Sequence, residues 1–415
     1  MHDFNFVNGE LFCEEVPLQR IAAEAGTPVY IYSRRTLRDH YRGLKEAFSG
    51  LPHLICYSVK ANSNLAVLST LAGEGAGADI VSGGELYRAL KVGMAAEKVV
   101  YAGIGKTAEE MAYALKSGIL MFNVESTTEL EALDRVAGEH GTKARIALRV
   151  NPDVDAQTHP YIATGLKEAK FGIGIDDALA VYEYAASLPN VEVAGVHQHI
   201  GSQITQVGPF RESLSIIGEL LQRLQEKGIP VRYINIGGGF GIPYRQEDVP
   251  YPSDYARELE PILKESGCTV ILEIGRMIVG NAGILLTKVL YRKSTGEKDF
   301  LVVDAAMNDL IRPSLYGSFH EITPVLQSER EDETVDVVGP VCESSDFLAR
   351  DRALPHTEPG ELLAVMSAGA YAFAMSSNYN SRRRAAEVMV DGDRFGVVRE
   401  REAYEDLVRG ERAWD

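Results

Sequence analysis

Lys60 stands at the end of the apolar run HLICYSV (53–59), in the segment YSVKAN. Strand alternation puts Ile55, Tyr57 and Val59 on one face and Cys56, Ser58 and Lys60 on the other. If helices cover the aliphatic face, Lys60 points into a confined site. There an amine loses its proton readily and becomes a nucleophile, which suits an aldehyde cofactor. Taken alone, a lysine at a strand end is more commonly a solvated charge. The run INIGGGFG (234–241) places Gly237, Gly238, Gly239 and Gly241 directly after another apolar stretch. Backbone N–H groups in such a turn can converge on an anion, although a flexible turn looks the same. Glu273-Ile274-Gly275-Arg276 ends a third run. A glutamate beside a protonated pyridine nitrogen keeps that ring an electron sink, and an arginine can grip phosphate or carboxylate in a fork; a surface salt bridge is the plainer reading. His197 and His199 alternate on one face of a further strand before Gly201-Ser202. A flat imidazole can stack on an aromatic ring and Ser202 can donate to phosphate, yet core or rim histidines would fit too. Cys342-Glu343 sits in a polar, loop-like stretch and could serve as acid and substrate clamp, against the commoner buried structural cysteine. Gly369-Ala370-Tyr371 and 376–380 resemble neither strand nor helix, as segments lining a site do.

These groups fall at regular places along the chain. Eight short apolar runs, at 53–59, 77–82, 98–103, 120–125, 144–150, 191–200, 233–237 and 269–274, alternate with amphipathic stretches. In the stretch 209–227, Leu214, Ile217, Leu221 and Leu224 share a helical face and Gly228 is a stop. Leu65, Leu68 and Leu71 pack inward in the same way, with Gly73 closing the turn. Strands and helices alternating over roughly 220 residues predict a (β/α)8 barrel of the TIM type, with its site at the C-terminal strand ends. A doubly wound open sheet is the alternative, since periodicity does not say whether the sheet closes. After about residue 277 the texture becomes β-like, with a hairpin at Asp391-Gly392. This predicts a second, all-β domain, a sandwich or barrel. The expected division is a barrel over 27–276 and a β domain from 1–26 with 277–415. The polar segment 153–170 suits a lid.

Composition narrows the class. A net charge of -17 and a pI of about 5.1 repel phosphate backbones and anionic lipid, so neither nucleic acid nor membrane is an expected partner. Cys13, Cys56, Cys268 and Cys342 are too sparse for a disulfide framework and lack metal-ligand spacing, so no metal and a reducing compartment are expected. The start MHDFNFVNGELFCEEV lacks the basic and apolar regions of a signal peptide. No run approaches the ~18 apolar residues of a membrane span. A cytoplasmic enzyme is the expectation.

Taken in order, YSVKAN, VSGGEL, THPYIATGLKEAKFGI, HQHIGSQ, INIGGGFGIPY, DAAMNDLIRPSLYGSFHEI, GPVCESSDFLARDR and GAYAFAMSSNYNSRRRAAEV resemble the diaminopimelate decarboxylases, from about Thr27 to Ala386. These belong to the barrel-type (fold type III) branch of pyridoxal-phosphate enzymes, with ornithine and arginine decarboxylases and alanine racemase. The resemblance implies pyridoxal 5'-phosphate as cofactor and the decarboxylation of meso-2,6-diaminopimelate to L-lysine, the last step of lysine biosynthesis. It implies Lys60 as the Schiff-base lysine and His199 as the histidine stacked on the cofactor ring. Ser202, Gly238, Gly239 and the Gly275-Arg276 turn correspond to the phosphate cradle, and Glu273 to the pyridine-nitrogen partner. Arg276, Arg312 and Tyr316 resemble substrate-carboxylate ligands, Cys342 the general acid, Glu343 the ligand of the distal amine, and Tyr371 a residue shared by cofactor and substrate. In the family Cys342 and Glu343 come from the partner subunit, which implies a homodimer. The chain departs from the family at Ile274, where proline is usual, and at Ala306 and Ala372, where glycine is usual. None of these removes a catalytic group.

Three rivals remain at this level. A decarboxylase of ornithine, arginine, D-lysine or a carboxylated polyamine should present acidic groups to a far ammonium, whereas Arg276 and Arg312 offer cations to a distal carboxylate. A racemase usually places a cation at the pyridine nitrogen, where this chain has Glu273. A non-catalytic protein of this fold tends to lose the lysine or the glycine run, and both are present.

Overall fold

The computed structural model describes residues 2–155, 170–245 and 247–414, so most of the expected lid segment and of THPYIATGLKEAKFGI lies outside the described residues. The chain divides into two compact units, one of Met1–Asp39, Pro243–Glu247 and Val279–Asp415, the other of His40–Ile242 and Asp248–Ile278.

The second of these is built on eight parallel strands: β1 (His53–Ser58), β2 (Gly77–Ile80), β3 (Val99–Tyr101), β4 (Met121–Val124), β5 (Ala144–Asn151), β6 (Val191–His197), β7 (Tyr233–Asn235) and β8 (Thr269–Ile274). Each pairs with the next, and β8 returns to β1 with Ile274 opposite Tyr57, so the sheet closes and the open alternative is excluded. The eight apolar runs of the sequence are these eight strands. Helices cover their outer faces, and several begin on side-chain caps: Asn64, Ser82, Thr107 and Ser126 each accept from a backbone N–H of the following turn.

Alternation along the strands divides the barrel interior into two levels. Leu54, Cys56, Val100, Met121, Ala147, Tyr233 and Ile271 pack together as an apolar plug. Two residues further along the same face, Ser58, Asp79, Asn123, Arg149, His197, Asn235 and Glu273 follow Cys56, Gly77, Met121, Ala147, Gly195, Tyr233 and Ile271. All seven are buried. The plug excludes water from below, and a polar ring on seven of the eight strands lines the C-terminal mouth.

Two helix expectations need correction. Helix Gly208–Glu226 buries Phe210, Ser213, Leu214, Ile217, Leu220 and Leu224, so the inward residue is Leu220 and not Leu221. Helix Leu65–Gly73 runs through Gly73, and the chain turns at Gly75 (φ +90°). Leu68 and Leu71 are buried there with Val67, while Leu65 lies at the rim.

The other unit is mostly sheet. Its nine-stranded sheet runs Phe347–Pro355, Asp332–Val338, Asp299–Val303, Gly283–Ser294, Val29–Ser33, Ala386–Asp391, Arg394–Arg399, with Leu362–Val365 and Ile322–Pro324 branching from Gly283–Ser294. Ile31, Ile284, Leu286, Val388 and Val390 form its core with Leu18 and Ile21 of helix Leu18–Ala25. Asp391 and Arg394 face each other across the expected hairpin, with Gly392 at φ +69°. Among the described residues no helix is long and apolar enough to cross a membrane.

Candidate active site

The barrel mouth is organised by two buried carboxylates. Glu273 Oε1 accepts from Asn123 Nδ2 at 2.7 Å and Asn235 Nδ2 at 2.6 Å, and Oε2 lies 3.2 Å from His197 Nε2. Burial raises the pKa of a carboxyl, but the charge and hydrogen bond of His197, the Lys60 charge and the Asn235 amide outweigh it. Glu273 is held well below the usual carboxylate range. The second carboxylate, Asp79, accepts at Oδ2 from Ser58 Oγ at 2.7 Å and from Lys60 Nζ at 3.1 Å. Burial, and then the Glu273 charge, push its pKa up against the pull of Lys60 and Ser58. Two such anions in one buried mouth disfavour each other, so Asp79, with fewer donors than Glu273, leans on the Lys60 ammonium.

Lys60 is reached by a route the alternation does not predict. Strand β1 stops at Ser58, and Lys60 lies on the single 3-10 turn Val59–Ala61. The turn still delivers the amine to the mouth, because Asp79, wholly buried on the neighbouring strand, draws it there; the Lys60 side chain is 37% exposed. Ser58 Oγ also meets the Glu273 carbonyl at 3.0 Å, tying the ends of β1 and β8 together.

The two histidines do not share a strand, since β6 ends at His197. Beyond it, Arg149 Nη2 reaches the His199 carbonyl at 3.4 Å. Burial, with the Arg149 and Lys60 charges near, pulls the pKa of His199 well below its ordinary value. Its Nδ1 accepts the Gly238 N–H at 3.1 Å, so the neutral ring carries its proton on Nε2. The structure presents a flat, uncharged imidazole in a fixed tautomer.

The glycine run works differently from four converging donors. The Gly237 N–H goes to Asn235 Oδ1, that of Gly238 to His199 and that of Gly241 to Ile204 O. What the glycines provide is close approach of backbone. A Cβ at Gly238 would lie 2.0 Å from the Glu273 carbonyl, and one at Gly239, where φ is +103°, 2.4 Å from the Gly201 carbonyl. The loop is pinned by Ile204 N donating to Gly239 O at 2.8 Å and by Phe240 stacked on Tyr255 at 3.9 Å. Beside it, Ser202 Oγ accepts from Arg276 Nη2 at 3.1 Å, which leaves the hydroxyl proton to donate. A Cβ at Gly275 would come within 3.0 Å of Ser58 and Ala61 side chains. A hydroxyl, a guanidinium and a tight glycine backbone fit a phosphate, while the neutral imidazole, the ionised acid and the amine fit an aromatic aldehyde with a basic ring nitrogen.

Sequence reasoning passed over Asp79, Asn123, Arg149 and Asn235. Arg149 pairs with Glu125 at 2.9 Å, both buried. The signal was a polar residue at inward register within an otherwise apolar run.

The remaining predicted site residues belong to the other unit. Arg312 is buried at the start of helix Arg312–Tyr316, which Gly317 terminates at φ +59°, and Tyr316 is partly buried at its end. Cys342 and Glu343 are exposed; the Cys342 N–H donates to Asn380 Oδ1 at 2.8 Å, and Glu343 accepts from Tyr379 OH at 2.6 Å. Tyr371 holds a left-handed backbone at φ +55°.

A sequence model of the family described as pyridoxal-dependent decarboxylase, pyridoxal binding domain, matches residues 34–280. The chain is 54% identical to diaminopimelate decarboxylase of Pseudomonas aeruginosa over 99% of both chains, and 52% identical to that of Aquifex aeolicus over 97% of this chain and 95% of the relative. Among solved structures, diaminopimelate decarboxylase from Helicobacter pylori complexed with L-lysine superposes with a TM-score of 0.92 at 44% identity, covering 94% of this chain and 98% of that one. The enzyme from M. jannaschi gives 0.95 at 37% identity, covering 99% and 98%.

Glu85 generates a prediction about the mouth's electrostatics. It sits on helix Gly83–Lys91, accepts the Val81 N–H at 2.7 Å, and is pushed up to about 7 by burial, with the Asp79 charge adding to it. Because the folded value lies above the unfolded one, Glu85 favours the fold at low pH and loses that contribution as pH rises from about 4.5 to about 7. Glu85→Gln should therefore gain stability relative to wild type between pH 5 and pH 8, by about 1–3 kcal/mol. Urea unfolding at the two pH values checks this; a constant difference contradicts the assigned burial.

Proposed function

The chain belongs to the pyridoxal-dependent decarboxylases, and from that premise we propose that it binds pyridoxal 5'-phosphate and converts meso-2,6-diaminopimelate to L-lysine and carbon dioxide. Full-length identity to diaminopimelate decarboxylases supports the substrate. The observation that carries the chemistry is the Lys60 amine paired with buried Asp79 in the same mouth as an ionised Glu273. When bound, the cofactor supplies an aldehyde carbon that bonds to amines and a pyridinium ring that accepts the electrons released as the α-carboxylate leaves.

Lys60 supplies the amine that carries the cofactor, and Asp79 keeps that amine in the mouth. Glu273, fixed by Asn123, Asn235 and His197, holds a proton at the ring nitrogen. His199, as a neutral imidazole, would pack against the ring without adding a charge to compete with that proton. Ser202, Gly239, Gly275 and Arg276 would hold the phosphate, with Gly238 shaping the cradle by its close packing. By the family resemblance, Arg276, Arg312 and Tyr316 would each serve as substrate-carboxylate ligands, Glu343 would bind the distal amine, Tyr371 would serve both cofactor and substrate, and Cys342 would return a proton to the α-carbon.

Cys342 and Glu343 are exposed on their own subunit, which suits residues that work in a second copy. We assign the enzyme to a homodimer in which these two complete the partner's site, and to the cytoplasm, where its four free cysteines stay reduced.

Carbon dioxide release from meso-diaminopimelate tests the reaction. Wild type should turn over, with ornithine and arginine below about a hundredth of that rate, and Lys60→Ala should lose at least about a thousandfold. Full turnover by Lys60→Ala would remove its assigned role. Mixing tests the shared site: Lys60→Ala and Cys342→Ala, each inactive alone, should recover about a quarter of wild-type activity after subunit exchange, because half the dimers then carry one intact site. No recovery in exchanged dimers contradicts assembly across the interface.

A further inference from the structure

We propose that His320 is a positioning residue that holds the Arg312 guanidinium ready for a substrate carboxylate; this rests on the role given to Arg312 above. His320 is fully buried, eight residues after Arg312, and the left-handed Gly317 turns the chain so that the two side chains meet. Its Nδ1 lies 2.9 Å from the Met366 carbonyl, and its Nε2 lies 2.9 Å from Arg312 Nη1. A carbonyl only accepts and a guanidinium only donates. The proton is therefore on Nδ1, and the Nε2 lone pair accepts from Arg312. The ring cannot be reversed without placing two donors, or two acceptors, face to face.

The surroundings fix both partners further. The Tyr244 ring lies 4.8 Å beneath the Arg312 guanidinium and meets the His320 ring edge-on at 5.4 Å. Arg312 Nη2 also reaches Ser318 Oγ at 3.4 Å. Arg352 donates to the His320 carbonyl at 2.8 Å, and the neighbouring Phe319 is held between the guanidinium groups of Arg245 and Arg352 at 4.1 and 4.0 Å.

The consequence concerns binding and not the chemical step. An arginine side chain has several rotatable bonds, and fixing them when the ligand arrives weakens binding. A neutral acceptor orients the fork without neutralising it, whereas a carboxylate in the same place would compete with the substrate for its charge. Loss of His320 should weaken carboxylate binding while decarboxylation of bound substrate continues.

The test is steady-state kinetics of the holoenzyme with meso-diaminopimelate. His320→Phe keeps a ring of similar size but removes both polar atoms; it should raise KM at least tenfold and change kcat less than threefold. The apparent inhibition constant of L-lysine, which retains one carboxylate, should rise by the same factor as KM. His320→Gln offers an oxygen to Arg312 and an N–H to Met366, and should return KM to within about threefold of wild type. An unchanged KM in His320→Phe, or a loss confined to kcat, overturns the proposal. If that variant does not fold, Tyr244→Leu removes the aromatic face beneath the guanidinium and should raise KM about fivefold, with an unchanged KM again overturning it. Arg312→Ala separates the two levels. If it leaves KM unchanged, the substrate role of Arg312 is wrong; if it raises KM and His320→Phe does not, only the positioning role is wrong.

Discussion

Charge compensation in a water-poor barrel mouth is the constraint on which the site depends. A carboxylate taken out of water costs several kcal/mol unless opposite charge and hydrogen bonds replace the lost hydration. Glu273 and Asp79 are both buried there, and each is compensated differently. Glu273 receives two amide donors and a histidine. Asp79 receives one hydroxyl and the Lys60 ammonium. Glu273 thus remains an anion by virtue of groups on other strands, while Asp79 depends on the amine itself. The lysine is retained in the mouth because a buried acid requires it, and the acid is tolerable because the lysine is there.

The backbone serves the same end. Parallel strands bring one inward polar residue from each of seven strands to the same level, above an apolar plug that closes the barrel from below. Glycine at 238 lets the loop after β7 rest on the end of β8, and its N–H fixes the His199 tautomer. The tautomer of one imidazole is therefore set by where a main-chain N–H lies, while ionisation of the acid is set by side chains that the barrel brings around it. The Arg312, His320 and Met366 relay in the other unit follows the same logic: a carbonyl orients a ring, and the ring orients a cation.

Much of this was legible in the sequence, for a physical reason. Strands buried on both faces read as short continuous apolar runs, and all eight barrel strands appeared as such. Lys60, Glu273 and the glycine run stood out because each follows such a run. Other features were illegible because they depend on neighbours distant in the chain. Asp79 within GADIVS and Asn123 within LMFNVE look like weak interruptions of apolar strands, and only closure of the barrel turns them into partners of Lys60 and Glu273. The turn at Lys60 cannot be told from one more strand residue by alternation. Leu220 and Leu221 are equally apolar, and only packing decides which faces inward. Strand Phe347–Pro355 is hard to read because its charged FLARDRALP pattern disguises a strand that is solvated along part of its length.

The amine at Lys60 is the point at which fold, electrostatics and chemistry meet, and it can be observed directly. Purified protein is reduced with borohydride, which fixes the cofactor to whichever amine carries it, and the labelled peptide is located by mass spectrometry. The result expected is loss of the visible cofactor band on reduction and a single label on the peptide containing Lys60. A label on another lysine, or a protein that binds the cofactor without becoming labelled, would contradict the assignment.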